Sequence, residues 1–376
     1  IMGYKVIGNL DLANDLYQKG IKYAVIAVGD NILRQQIYQK LIDIGFNIPN
    51  IVHSSAYVDD SSSLGEANVI GPNAVIGTKV KIGNNNIINT GAIIEHQSEL
   101  GNGNHLSLSA VLCGNVSISN NVFIGAKLYP SNVTTNSSFG ISNIEEIFPA
   151  LEILQKTNKH LLIHGEKIRE NIDIFDREKY FIDEELSIIR RKFPDLKIVL
   201  EHVSSKYGAD FVSQNKNIAG TITPQHMLLT KKDVFFDDQI NPHHYCMPIV
   251  KDEKDLIALR NYACSGNNKF FLGTDSAPHD IIDKPPNLKS KPGIFSAPCS
   301  IELYTEIFDQ ENSLENLESF SSINGPNFYN LPVNKSKIRL INQKWTLEEC
   351  SQSQNIKVKN FYGGNELNWK VVNLNK

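Results

Sequence analysis

Four residues able to do metal and proton chemistry stand where apolar runs stop. They are Lys127 in GAKLYP, His164 in KHLLIHGE, His202 in LKIVLEHVSS and Asp275 in NKFFLGTDSAPH. Two imidazoles and a carboxylate form a hard-to-borderline ligand set suited to zinc. A protonated lysine cannot bind a metal, but a lysine carboxylated by CO2 is an anionic oxygen ligand that can bridge two. One histidine at a strand end is ordinarily a hydrogen-bonded structural residue. Four ligand-type residues at successive strand ends shift the balance, and spacing alone leaves both readings open. Two further histidines, His96 in TGAIIEHQSE and His105 in NGNHLSLSA, interrupt an aliphatic and Asn/Gly-rich stretch. The plain reading of each is a solvated corner residue.

The elements that position these residues follow two different periods. Over residues 127–345, apolar runs alternate with helical patterns at 142–155, 177–193 and 252–264. SNIEEIFPALEILQ opens with a capping box at Ser142 and Glu145. Repeated βα units imply a parallel sheet, open or closed into a barrel. In such a barrel every strand ends at one mouth, so residues far apart in sequence converge there. The last residues, 346–376, read as a small β appendage.

Residues 51–126 obey a six-residue period instead. Val58, Leu64, Ile70, Ile76, Ile82, Ile88, Ile94, Leu100, Leu106, Leu112, Ile118 and Ile124 form an unbroken ladder, and Gly follows several of them. A helix needs spacings of three and four, and a plain strand has no turn in every hexad. The pattern is that of a parallel β-helix with three hexads per turn, its aliphatic residues stacked inward. Gly114 then lies one full coil beyond His96. Residues 1–50 read as a partial, Rossmann-like α/β fragment. KYAVIAVGD (22–30) is expected as a buried strand, and ILRQQIYQKLIDIGF (32–46) as an amphipathic helix ending at a glycine.

Two resemblances attach to these segments. AKLYPSNVTTNSSFGISNIE, LLIHGE, IDIFDREKYFIDEEL, VLEHVSS, ITPQHMLL, HHYCMPI, LGTDSAPH and INGPNFYNLP closely resemble the single-domain bacterial dihydroorotases of the amidohydrolase superfamily. That resemblance implies a partial (β/α)8 barrel at 127–345 that opens dihydroorotate to N-carbamoyl-L-aspartate. It makes Lys127 the carboxylated bridging lysine, His164 and His202 zinc ligands, and Asp275 both a ligand and the catalytic base. Thr134 and Thr135 fall in the loop that closes over substrate, His279 holds the substrate carboxylate, and Met247 offers a main-chain contact to the pyrimidine ring. The family begins with a strand bearing H-x-H, and no H-x-H occurs in this sequence. Fewer than two zinc ions per chain and weak turnover are therefore expected.

VIGPNAVIG, INTGAIIEH and LCGNVSI resemble the hexapeptide-repeat acyltransferases of amino sugars and sialic acid. That resemblance implies a left-handed parallel β-helix, with His96 as general base and His105 and Gly114 as acetyl-CoA contacts. Gln97 stands where a carboxylate often orients the base. The chain thus reads as a chimera of two truncated enzymes joined at IGAK. An inactive fusion that keeps both folds is the third reading.

Composition narrows the partners. Hydrophobic residues make up 41% of the chain, charged residues 21%, and the net charge is −4, so neither nucleic acid nor an anionic membrane is an expected partner. The substrate class is a small molecule, and a dimer or a β-helix trimer is the expected assembly. No apolar run reaches the ~18 residues that a bilayer requires. Five scattered cysteines without a C-x-x-C pair point to reduced thiols in a cytoplasm.

Overall fold

An aliphatic residue every six positions can always face inward only if each hexad turns one corner of a three-sided coil. The chain does this. It is described as a computed structural model covering residues 6–107, 110–112, 114, 116–118, 120, 123–124, 126–131, 133, 140–236, 239–353 and 356–373. Two-residue rungs pair in parallel with the rung one turn away, as in Val69↔Ile87, Ile87↔His105 and His105↔Phe123. The rungs form three parallel sheets of five, four and four strands. Ile70, Ile76, Ile82, Ile88, Ile94, Leu100 and Leu106 are buried in one continuous core. Each such side chain stabilises the coil by about 1.5–3 kcal/mol relative to exposure.

The corners explain the Asn and Gly content. Ala67, Asn73, Lys79, Asn85, Gly91, Gln97 and Gly103 all take a left-handed φ between 54° and 68°, one residue per corner. Polar ladders run beside the aliphatic one. Asn68 Oδ1 accepts from the Asn86 backbone N–H at 2.9 Å, and Asn86 Oδ1 accepts from that of Asn104 at 2.8 Å.

Ahead of the coil, helix α1 (Asn31–Ile44) is capped by Asp30, whose Oδ1 accepts from the Leu33 N–H at 2.8 Å. It stops at Gly45, whose φ of 106° a side chain would resist. Arg34 of α1 is fully buried and donates to the carbonyls of Asn85, Gly103 and Asn104 on successive coils. The strand expected at 22–30 is not formed. Only Tyr23 makes a bridge, to Asn47, while Tyr23 and Val25 are 68% and 57% exposed. An apolar run becomes a strand only where a partner edge exists, and that edge is absent among the described residues.

The chain divides into compact units at Ile1–Lys127 and Leu128–Lys376. The second is built on a parallel sheet in the order β1 (Ala126–Leu128), β2 (His160–His164), β3 (Lys197–Glu201), β4 (Ile218–Ile222) and β5 (Phe270–Leu272). Register runs Ile163↔Leu200, Leu200↔Gly220 and Ile222↔Leu272. The strand interiors are buried on both faces, as a helix-covered parallel sheet requires. Covering helices include α2 (Phe148–Lys156), α3 (Lys206–Gln214), α4 (Glu253–Cys264) and α5 (Ser300–Gln310). The short turn before α2 is capped by Asn143, whose Oδ1 accepts from the Glu145 N–H, and not by the Ser142 box.

The tail packs into this unit. Strands β6 (Ile338–Thr346) and β7 (Glu366–Asn373) pair antiparallel. Glu306 of α5 accepts from the Trp369 N–H at 3.0 Å and from Asn368 Nδ2 at 2.9 Å. Leu347, Phe361 and Leu367 are buried in the same core as Cys246 and Leu303. The expected appendage is thus part of the second unit's core.

Candidate active site

The polar residues that end β2, β3 and β5 are set by tight backbone turns. After His164, Gly165 packs closely on β3, where a Cβ would sit 2.5 Å from Leu200 Cδ1 and Leu200 would have to shift to admit it. Glu166 follows, fully buried. Its Oε2 lies 2.8 Å from His164 Nε2. A nitrogen facing a carboxylate carries the proton, so Nδ1 keeps its lone pair. Glu166 Oε1 is buried without a hydrogen-bond partner among the described residues.

His202 follows β3 in a left-handed conformation, φ 44°, and its N–H donates to Thr221 Oγ1 of β4 at 2.7 Å. The His164 and His202 rings are edge-to-face with centroids 4.6 Å apart, and both are buried. Tyr129 lies beside His164 at 5.8 Å between centroids. Asp275 follows β5, also at φ 44°. Gly273 permits this turn, since a Cβ there would meet Thr221 Cβ at 2.5 Å. Non-glycine residues in this region store strain of order 1–3 kcal/mol each. Here two of the three strand-end residues carry it.

Cys246 is buried in the core of the second unit. Burial pushes its thiol up to about 12, and the charges of Asp275 and Glu166 add to the rise, opposed by Lys284 and Lys251. Met247 follows it, half-buried against the same core. His279 Nε2 is 3.0 Å from the Pro292 carbonyl, and burial together with nearby Lys284 lowers its pKa below 6.5.

The structure thus brings His164 and His202 together, while Asp275 follows β5, the edge strand at the far side of the same sheet. Lys127 lies half-buried on β1, the edge strand next to β2 in the sheet. Among the described residues, no three His, Cys, Asp or Glu side chains gather as a ligand set. Thr134 and Thr135 lie outside the described residues. In the coil, His96 is exposed, and its ring lies over Gly114, where a Cβ would sit 2.5 Å from Nε2. Gln97 Oε1 is 3.4 Å from His96 Nδ1. His96 sits in a corner turn, whereas His105 begins a strand, its Nε2 3.4 Å from Asn89 Nδ2. Glu166, Cys246 and Lys284 were missed in the sequence. Only Glu166 carried a local signal, two positions beyond a strand-end histidine.

No family model matches the chain. A dihydroorotase from Buchnera aphidicola subsp. Schizaphis graminum is 45% identical over 253 residues, spanning 66% of this chain and 72% of that protein. The chain belongs to the dihydroorotase family. A dihydroorotase from Idiomarina loihiensis is 44% identical over 254 residues, 67% of this chain and 73% of its own. The crystal structure of Saccharomyces cerevisiae dihydroorotase in complex with 5-fluoroorotic acid superposes with a TM-score of 0.61 at 31% identity, covering 66% of this chain and 73% of that one. The sheet of the second unit is thus a dihydroorotase sheet, an amidohydrolase TIM-barrel architecture. A mutant perosamine N-acetyltransferase from Caulobacter crescentus, in complex with CoA and GDP-perosamine, covers 34% of this chain and 60% of its own at 35% identity and TM-score 0.33. No helix among the described residues is long and apolar enough to cross a membrane.

Proposed function

We propose that the second unit carries dihydroorotase-type hydrolysis, the reversible ring opening of dihydroorotate to N-carbamoyl-L-aspartate in pyrimidine biosynthesis. The observation that carries this reading is the buried His164–His202 pair, with Glu166 fixing the His164 proton on Nε2. The donor set fits a divalent cation. Two buried imidazoles lie edge to face, and that of His164 meets a buried carboxylate whose second oxygen has no hydrogen-bond partner among the described residues. His164, His202, a carboxylated Lys127 and Asp275 would hold zinc, which when bound acidifies water and polarises the amide carbonyl. One zinc ion per chain is the stoichiometry proposed.

The protein's own groups do the rest. Glu166 keeps the His164 lone pair on Nδ1. Asp275, exposed at the strand end, takes a proton from the attacking water and returns it to the leaving ring nitrogen. His279 donates from Nε2 to the Pro292 carbonyl, so its other nitrogen can donate to a substrate carboxylate only when the ring is protonated. Met247 contributes its backbone to the ring.

The test is zinc content together with dihydroorotate formation from carbamoyl aspartate. The wild type should hold up to one zinc and turn over. His164→Ala should lose the metal, and Asp275→Ala should lose at least about 100-fold in kcat. A zinc-free wild type, or unchanged variants, refutes the reading.

A second reading is favoured by one observation in the coil, the His96 ring lying against Gly114 of the next turn. On it the coil is a left-handed hexapeptide β-helix, with His96 as base and His105 and Gly114 lining an acetyl-CoA site. Calorimetry with acetyl-CoA tests it, and no heat of binding removes it. Failure of both assays leaves the inactive fusion.

A further inference from the structure

We propose that Lys284 is a positioning residue that fixes the proton location and orientation of His279, by clamping the backbone against which that ring is held. The inference rests on the hydrolase reading only in that His279 is taken to face substrate.

The geometry is confined to one fold-back. Residues 276–297 leave the end of β5 and fold back, with Ser276 bridged to Ile294 and the Ala277 N–H donating to the Ile294 carbonyl at 3.0 Å. The returning segment 291–293 is held from three sides. Lys284 Nζ donates to the carbonyls of Lys291 at 3.0 Å and Gly293 at 2.5 Å. The Gly293 N–H donates to the Tyr245 carbonyl at 2.8 Å. The carbonyl between the two clamped ones, that of Pro292, receives the His279 ring at 3.0 Å. The ammonium of Lys284 thus holds the carbonyls on either side of the one that receives His279.

Contact between this segment and the ring is close enough to require glycine. A Cβ on Gly293 would sit 2.8 Å from His279 Cδ2 and 2.9 Å from Nε2, and the residue's φ is +148°. A displaced 291–293 segment would therefore collide with the ring or release it.

The choice of lysine is informative. Lys284 is buried, and no carboxylate among the described residues forms an ion pair with it. A buried ammonium without a counter-ion is costly, and an apolar residue of the same length would avoid that cost. What the apolar residue cannot supply is a pair of donors diverging from one nitrogen. Its charge also acts on His279 directly, lowering the ring's affinity for a proton, as burial does more strongly.

The test uses the full-length zinc-loaded protein and its Lys284→Met and Lys284→Arg variants. Histidine-selective 15N NMR reads the tautomer and titration of His279, assigned by its loss in His279→Gln. Wild type should show Nε2–H protonation of the neutral ring. In Lys284→Met that signature should be lost or averaged, the ring should titrate at higher pH, and the 291–294 amides should exchange at least tenfold faster. At a pH where the His279 ring is protonated in both proteins, KM for dihydroorotate should rise at least tenfold in Lys284→Met, because the ring is no longer held in place, with kcat changed less than threefold, and Lys284→Arg should restore most of that loss. If Lys284→Met does not fold, Lys284→Arg against wild type decides on the same NMR signals. An unchanged His279 tautomer and titration in the Met variant overturns the proposal. If wild type shows no turnover while the His279 signals respond to Lys284, the clamp stands and the hydrolase reading falls. Turnover with unresponsive His279 signals gives the reverse.

Discussion

Glu166→Gln is the substitution that most directly probes the site, because it changes charge and proton donors while keeping shape. In the native arrangement Oε2 accepts from His164 Nε2 at 2.8 Å, with 1% and 2% of the two side chains exposed. Oε1 is buried without a partner among the described residues. An amide can be placed here in two ways. With its oxygen on Nε2, the NH2 group takes the Oε1 position and is left buried without an acceptor, at about 1–3 kcal/mol. With its NH2 on Nε2, His164 must move its proton to Nδ1, the nitrogen that would face a metal. Both outcomes weaken a cation on His164 by a similar amount, about 1.4–2.8 kcal/mol or 10- to 100-fold in affinity. Competition for zinc with a chromophoric chelator at neutral pH reads this directly, with His164→Ala as the floor. Affinity within twofold of wild type would show that Glu166 does not set the His164 tautomer, and the ligand role of Nδ1 would fall with it.

Two further outcomes test the framework around the sites. Asn86→Leu removes the acceptor of the Asn104 N–H and a donor to Asn68 Oδ1, in a ladder with no exposed member. It should cost the coil about 2–4 kcal/mol, seen as a lower urea midpoint by circular dichroism; a loss below about 0.5 kcal/mol contradicts the ladder's role. His226 is locked neutral, accepting from Thr223 Oγ1 at 2.7 Å and donating to the Pro248 carbonyl at 2.9 Å, and burial pushes its pKa from 6.5 down to about 3. The unfolded chain therefore binds a proton that the folded one refuses between those values. Stability attributable to this residue is intact above pH 6.5 and falls as pH is lowered towards 3, by at most about 1.4 kcal/mol per pH unit. His226→Gln should flatten that slope in acid denaturation, and an unchanged slope refutes the assignment.

What could be read from the sequence follows from how many neighbours a residue's role depends on. The aliphatic ladder was fully legible, because each rung needs only the residue eighteen positions away and the same offset recurs down the coil. His164, His202 and Asp275 were legible as strand-end residues for a related reason. A parallel sheet places all its strand ends on one side, so position within an apolar run already gives the direction. The run at 22–30 shows the limit. Its composition is that of a buried strand, but strand formation depends on an edge elsewhere, and Tyr23 and Val25 stay exposed. Cys246 and Lys284 mark the same limit in the site. Neither sits at a strand end, and each acquires its environment from a fold-back of segments that no local period describes. The orienting features, the proton on His164 and the carbonyl turned towards His279, are set by Glu166, Lys284 and Gly293. Sequence pattern therefore reaches residues whose place is given by one strand, whereas the contacts around their rings come from residues that only the tertiary fold brings near.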